Sequence, residues 1–282
     1  MQVFEDLTLD FERAFYGVKN AMFKNCTFEG DADGESPLKE CREISVVGCT
    51  FSLRYPMWHL EDGLLQGCVT TADSRAPLWY GKRLTLQGCS LNGVKAIREC
   101  YGVSLDACGV QSDEFAWKTS HMTINDSMVT GEYAFFECKH LTLNNVEFEG
   151  KYSLQYVEGA EIDFSTFRTK DALWHAKNVT IRDSILEGEY LGWYSENLTL
   201  EHCVIVGHQP FAYCKNLTLI DCRMEGCDLA FERSQVDATI RGSIDSVKNP
   251  LSGRIEADRI EEVIEDMQAL DGSHVAIIQR EA

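Results

Sequence analysis

The sequence predicts an all-β fold: a single-stranded right-handed parallel β-helix, a solenoid of about twelve coils of about 19 residues each. Three observations predict it. "SENLTLEHC" ends at Cys203 and "CKNLTLIDC" ends 19 residues later at Cys222, and variants of the phrase end at Cys89, Cys108, Ser127, Val146, Ser165 and Ser184. Within a unit, Leu198, Leu200, Cys203 and Ile205 are apolar with polar residues between them, the two-residue period of short strands with one buried face. No unit holds a helical period long enough to be a crossover helix.

The elements follow in order. Met1 to Arg13 supplies a first strand through Leu7 and Leu9. The repeat column then runs from Cys26 through Cys49, Cys68 and Cys89 to Ser243, with spacings of 23, 19 and 21 residues, a run of 19, and a last of 21. Each unit reads strand, corner, strand, corner. Gly93, Gly131, Gly150, Gly188, Gly207 and Gly226 mark one of the corners. Stacked coils put equivalent residues about 4.8 Å apart, and the right hand follows from the general preference of parallel crossovers. The domain division is 1–252 for the β-helix and 253–282 for a degenerate last coil and C-terminal cap, because the phrase stops there and acidic residues take over. A leucine-rich repeat competes, but Ser195, Cys214, Cys138 and Thr119 stand where its leading Leu belongs. The segment after the Gly ("EYLGWYSE", "QPFAYCK") is also aromatic and β-prone where a helical turn is needed.

The 12 cysteines invite a disulfide reading. Seven of them share the repeat column with Ser and Val; Cys41, Cys100, Cys138 and Cys214 share a second column with Val157, Ala176 and Ser195, and only Cys227 lies outside both. A position that accepts such residues wants a small body, so these are expected to be buried free thiols in a reducing compartment. No C-x₂₋₄-C pair suggests zinc, and no metal or cofactor is expected. The amino terminus lacks a basic n-region and an apolar h-region, so no secretory signal and a cytoplasmic location are expected. There is no 18-residue apolar run for a membrane span. The "NCT", "NVT" and "NLT" triplets at Asn25, Asn178, Asn197 and Asn216 are by-products of the repeat. A net charge of −19 argues against nucleic acid and anionic membranes as partners, and polyuronates would be repelled too.

The most informative column is aromatic. Trp58, Trp79, Trp117, Trp174 and Trp193, all five tryptophans, stand ten residues before the next member of the repeat column. Tyr16 and Phe136 share the place, with Arg98, Gln155 and Ala212 as exceptions. The next position holds His59, Tyr80, Glu99, Lys118, Glu137, Tyr156, His175, Tyr194 and Tyr213, which must face solvent in most coils. An aromatic stripe is more often packing than a ligand box, so the first assignment puts the indoles in the core. The alternative puts them outside, where Trp58, Trp79, Glu99, Trp117, Glu137, Trp174, His175, Trp193 and Tyr194 would form a saccharide-binding strip. His121 and His140 fall on adjacent coils about 5 Å apart and read as a solvated corner pair. No catalytic residue is singled out.

With the coil, the cysteine column and phrases such as "GEYLGWYSENLTLEHC", "GEYAFFECKHLTL" and "GHQPFAYCKNLTL" in hand, the chain resembles, over essentially its whole length, a mainly bacterial domain-of-unknown-function family. That family carries the pectin-lyase-like right-handed β-helix. The resemblance implies a fold and no mechanism. The expected function is a β-helix binding or structural module with carbohydrate recognition; the alternative is a carbohydrate-active enzyme, a polysaccharide lyase or glycoside hydrolase, using carboxylates near Glu99, Glu137 and His175. The open ends of stacked coils leave self-association available.

Overall fold

A computed structural model of the chain describes residues 1–30, 36–266 and 274–280. It contains no helix among those residues, and its strands pair in parallel, each with its equivalent about 19 residues on. Among the described residues the solenoid makes about 14 turns. That exceeds the twelve of the cysteine column because Gln2–Glu5 and Ser252–Ile264 add coils before Cys26 and after Ser243. Two compact units divide the chain, Met1–Thr142 and Leu143–Ala282.

In the first unit one coil shows how the sequence winds. The strand Lys82–Gln87 buries Leu84 and Leu86 and turns Thr85 outward. It pairs with Glu61–Gln66 on one side and Tyr101–Asp106 on the other, so that Leu84 lies beside Val103 and Thr85 beside Ser104. A left-handed corner at Gly88 (φ +58°) brings in buried Cys89, and the second strand, Ser90–Asn92, buries Leu91. Gly93 makes the next corner, where a Cβ would lie 2.1 Å from the Ser74 carbonyl oxygen. Only glycine permits that approach. The first strand, expected through Leu7 and Leu9, runs instead over Gln2–Glu5, paired with Lys19–Lys24, and Leu9 falls in the short second strand Thr8–Leu9.

The second unit repeats the arrangement. Val179, Leu198 and Leu217 align inside, and Thr180, Thr199 and Thr218 align outside. Phe148 and Phe167 stack in the core at 5.5 Å, as Phe28 and Phe51 do at 5.0 Å in the first unit. Each fully buried Leu or Phe of this kind stabilises the coil by roughly 1.5–3 kcal/mol. Asn197 donates from Nδ2 to Oδ1 of Asn178 at 2.8 Å, and Asn216 does the same to Asn197. All three asparagines are in the left-handed region (φ 54°, 55° and 53°), which accounts for Asn at that corner. Beyond Ser243, Ser252–Ile264 pairs in parallel with Gln235–Lys248 and with His274–Gln279. Of the segment expected to cap the fold, residues 267–273 and 281–282 lie outside the described residues.

All 12 cysteines are free and buried. The Sγ of Cys203, for example, lies 3.4 Å from the Ile181 carbonyl and 3.3 Å from that of Glu201, the contacts of a small buried donor.

Candidate functional site

After the Gly corner the aromatic segment, expected to be β-prone, is for the most part a run of turns. Among the described residues, Leu78–Trp79 and Ile97–Arg98 pair there as two-residue strands, and single parallel bridges join Arg54 to Arg75, Arg75 to Val94 and Arg98 to Trp117. Along the run the backbone repeatedly enters the left-handed region, as at Tyr133, Phe135 and Glu137 (φ 57°, 64° and 54°). The two-residue alternation therefore breaks: Phe135 is buried, while Phe136 and Glu137 both point outward before Cys138 returns to the core.

That break corrects the assignment of the tryptophans to the core. All five are half-buried on the outside wall, and the residues before them, Met57, Leu78 and Leu173 among them, fill the interior instead. In the first unit the column forms one stack. Lys39 Nζ lies 4.1 Å over the Trp58 ring, Trp58 and Trp79 stack at 5.7 Å, and the Arg98 guanidinium sits 5.4 Å from the Trp79 ring and 5.2 Å from the Trp117 ring. Trp117 then meets Phe136 at 5.0 Å. Arg98 thus stands in a tryptophan column because a guanidinium stacks on aromatic faces as an indole does.

In the second unit Trp174 and Trp193 stack at 5.5 Å with their planes 5° apart. Their indole N–H groups donate to the carbonyls of Tyr190 (2.8 Å) and Gln209 (2.9 Å). Gln155 donates from its amide to the Asp171 carbonyl at 2.9 Å, the same bond one coil earlier, which explains glutamine at that place. Each of the two indoles thus has one flat face covered by the other.

The next position forms a second, outer column at left-handed φ, from 49° at Glu99 to 60° at Tyr194 and Tyr213. Backbone bonds hold it there: His175 N donates to the Trp193 carbonyl at 2.9 Å, and Tyr194 N to that of Ala212 at 3.0 Å. In the second unit Tyr156, His175, Tyr194 and Tyr213 stack in sequence at 4.9, 5.0 and 4.8 Å, with planes within 13° of parallel. In the first unit His59 and Tyr80 stack at 5.1 Å, Glu99 pairs with Arg98 at 3.1 Å, and Glu137 pairs with Lys118 at 3.6 Å. His121 and His140 are an exposed pair, stacked at 4.6 Å, with Tyr101 against His121. Each unit thus brings its own share of the sequence-selected residues into two adjacent columns.

Sequence reasoning passed over a groove of about 510 Å³ in the first unit, lined by Asn92, Gly93, Val94, Gln111, Asp113 and Thr130 among others. Its one signal was the 21-residue spacing from Cys68 to Cys89.

Comparison with known proteins adds a family. No curated protein matches the chain. Among solved structures, it is similar to PfbA, a surface adhesin of Streptococcus pneumoniae, with 10% identity, a TM-score of 0.39, and coverage of 86% of this chain and 80% of that one. It is also similar to the A-module of the Azotobacter vinelandii mannuronan C-5 epimerase AlgE4, at 9% identity and a TM-score of 0.31, covering 84% of this chain and 89% of the other. These likenesses concern the fold alone. The family model described as "Protein of unknown function (DUF3737)" matches residues 2–278, and the chain belongs to that family.

Proposed function

We propose that the protein is a non-catalytic β-helix binding module in which the outer column of each unit engages a saccharide polymer. One observation carries the reading. A left-handed corner accepts Gly or Asn at least cost, yet from His59 to Tyr213 every position of the outer column carries His, Tyr, Glu or Lys at left-handed φ, with polar tips facing solvent. Strained positions of this kind are a motive for a functional hypothesis. Tips recurring about every 4.8 Å along the coils offer hydrogen-bond partners to successive sugar hydroxyls. Because the ring faces are taken up by stacking, recognition works through hydroxyls, imidazole nitrogens and ring edges rather than through a sugar lying flat on an indole. The enzyme reading is weaker, since Glu99 and Glu137 are already tied to Arg98 and Lys118.

Affinity electrophoresis in gels containing soluble polysaccharides tests the proposal. Wild-type protein is expected to be retarded by at least one neutral polymer. Since the hydroxyl makes the contact, Tyr194→Phe weakens retention as much as Tyr194→Ala, by about threefold or more. Trp174→Phe leaves it unchanged. Migration unaffected by every polymer removes the saccharide reading, and product release that Glu137→Gln abolishes replaces it with the enzyme.

A further inference from the structure

The groove in the first unit has the composition of a discrete binding site. It exists because the coil from Cys68 to Cys89 is two residues longer than its neighbours. Thr70 pairs with Leu91 and Arg75 bridges Val94, so Thr71–Ser74 lies where the next coil has only Asn92 and Gly93. The extra residues fold into a lip: Ser74 N donates to the Thr71 carbonyl at 3.0 Å, and Ser74 Oγ is anchored on the Phe51 carbonyl at 2.8 Å. Gly93 and Gly131 let the chain pass close under neighbouring carbonyls, since a Cβ at either would lie 2.1 or 2.2 Å from the oxygen of Ser74 or Ser112.

Three polar side chains stand in register across successive coils, Asn92 beside Gln111 and Gln111 beside Thr130. The row spans about 10 Å at the ordinary strand spacing. Asn92 is fixed as wall, its amide donating to the Thr70 carbonyl at 2.9 Å and to Ser90 Oγ at 3.2 Å. Gln111 is exposed at the middle of the row. Asp113 takes the Glu132 N–H on Oδ1 at 2.8 Å, which orients its carboxylate at the groove. Val94, 40% exposed, and Ala72 supply apolar surface, and Thr71 Oγ1, next to Ala72, is buried without a hydrogen-bond partner.

An amide, a hydroxyl and an oriented carboxylate beside a small apolar patch suit vicinal sugar hydroxyls and C–H faces. The lining holds no Lys or Arg, and its one carboxylate belongs to a chain of net charge −19, so a uronate is repelled. We propose that this groove is a recognition site for a short neutral oligosaccharide lying along the coil axis, with Gln111, Asp113 and Thr130 as its hydrogen-bonding residues. The inference rests on the saccharide reading above but places recognition on different residues, which lets the two fail separately.

Isothermal titration with maltohexaose, cellohexaose, laminarihexaose, mannohexaose and hexagalacturonate tests it, using folded variants with unchanged far-ultraviolet circular dichroism. At least one neutral hexasaccharide is expected to bind. Gln111→Ala and Asp113→Ala each weaken it about tenfold, the worth of a hydrogen bond to a charged or well-placed group, and Tyr194→Phe leaves it unchanged. A hexasaccharide affinity that falls only in Tyr194→Phe overturns the groove and leaves the outer column standing. Polymer retention without any hexasaccharide binding does the same. Tighter binding of hexagalacturonate than of every neutral probe overturns the assigned ligand class, and silence of wild-type protein toward all oligomers and polymers overturns both readings.

Discussion

At the residue scale, the outer column sets two costs against each other. A non-glycine residue at φ near 55° is disfavoured by roughly 1–2 kcal/mol, while glycine loses about 0.5–1 kcal/mol of chain entropy on folding. The side chain decides the balance. Glu137 (φ 54°) makes a 3.6 Å ion pair with Lys118 in which both partners are nearly half exposed, and such pairs contribute little. Tyr194 (φ 60°) stacks on His175 and on Tyr213, each contact worth about 0.5–1.5 kcal/mol. Glu137→Gly is therefore expected to leave stability unchanged or raise it by about 0.5 kcal/mol, and Tyr194→Gly to lower it by about 1 kcal/mol. Urea denaturation read by circular dichroism measures both. Equal losses would mean that the stacking of the outer rings contributes nothing at this corner.

At the scale of the coil, the period was legible and the phase was not. Cys203 and Cys222 repeat because each coil presents one side chain to each ladder, so the 19-residue interval stands in the sequence directly. The strands Lys177–Arg182 and Glu196–Glu201 were legible for the same reason, through the alternation of Leu or Val with Thr. The third side of the coil could not be read that way. Its left-handed residues rotate the chain between successive side chains, and parity carried from Cys138 back to Phe136 places the ring inside when it lies outside. The groove escaped because an insertion such as Thr71–Ser74 changes only a spacing, and its polar row belongs to three coils at once.

The stack itself makes a prediction at this scale. Arg98 lies between the Trp79 and Trp117 rings and pairs with Glu99 and, at 3.6 Å, with Glu114. Arg98→Ala should cost about 1–3 kcal/mol, most of it lost cation–π contact. Arg98→Trp, which continues the column with the residue its neighbours use, should cost less than about 1 kcal/mol. Denaturation midpoints compare the two, and near-ultraviolet circular dichroism reports whether Trp79 and Trp117 keep their fixed environment.

At the scale of the whole molecule, the buried thiols tie stability to pH. Burial pushes the Cys100 and Cys138 thiols up to about 12 in the first unit, and Cys214 and Cys227 up to about 12 in the second, from an ordinary value of 9.0. In the unfolded chain these groups ionise near 9.0, whereas the native chain keeps their protons until about 12. Their contribution is therefore fully present below about pH 9 and is lost as pH rises toward 12, where the unfolded state binds fewer protons than the native one. Several groups act in the same direction, so urea midpoints should hold steady from about pH 7 to 8.5 and fall steeply by about pH 10. The column tolerates Ala176 and Ser195, so Cys138→Ala with Cys214→Ser should fold and show a shallower alkaline slope. A thiol reagent at about pH 8 should leave Cys100, Cys138, Cys214 and Cys227 unmodified in the native protein, because only the thiolate reacts and burial keeps these four protonated, and the same reagent should label them once urea opens the coils. Rapid labelling of these four without denaturant, or an alkaline slope unchanged in the double variant, would show that the thiol ladder is not what makes the fold sensitive to base.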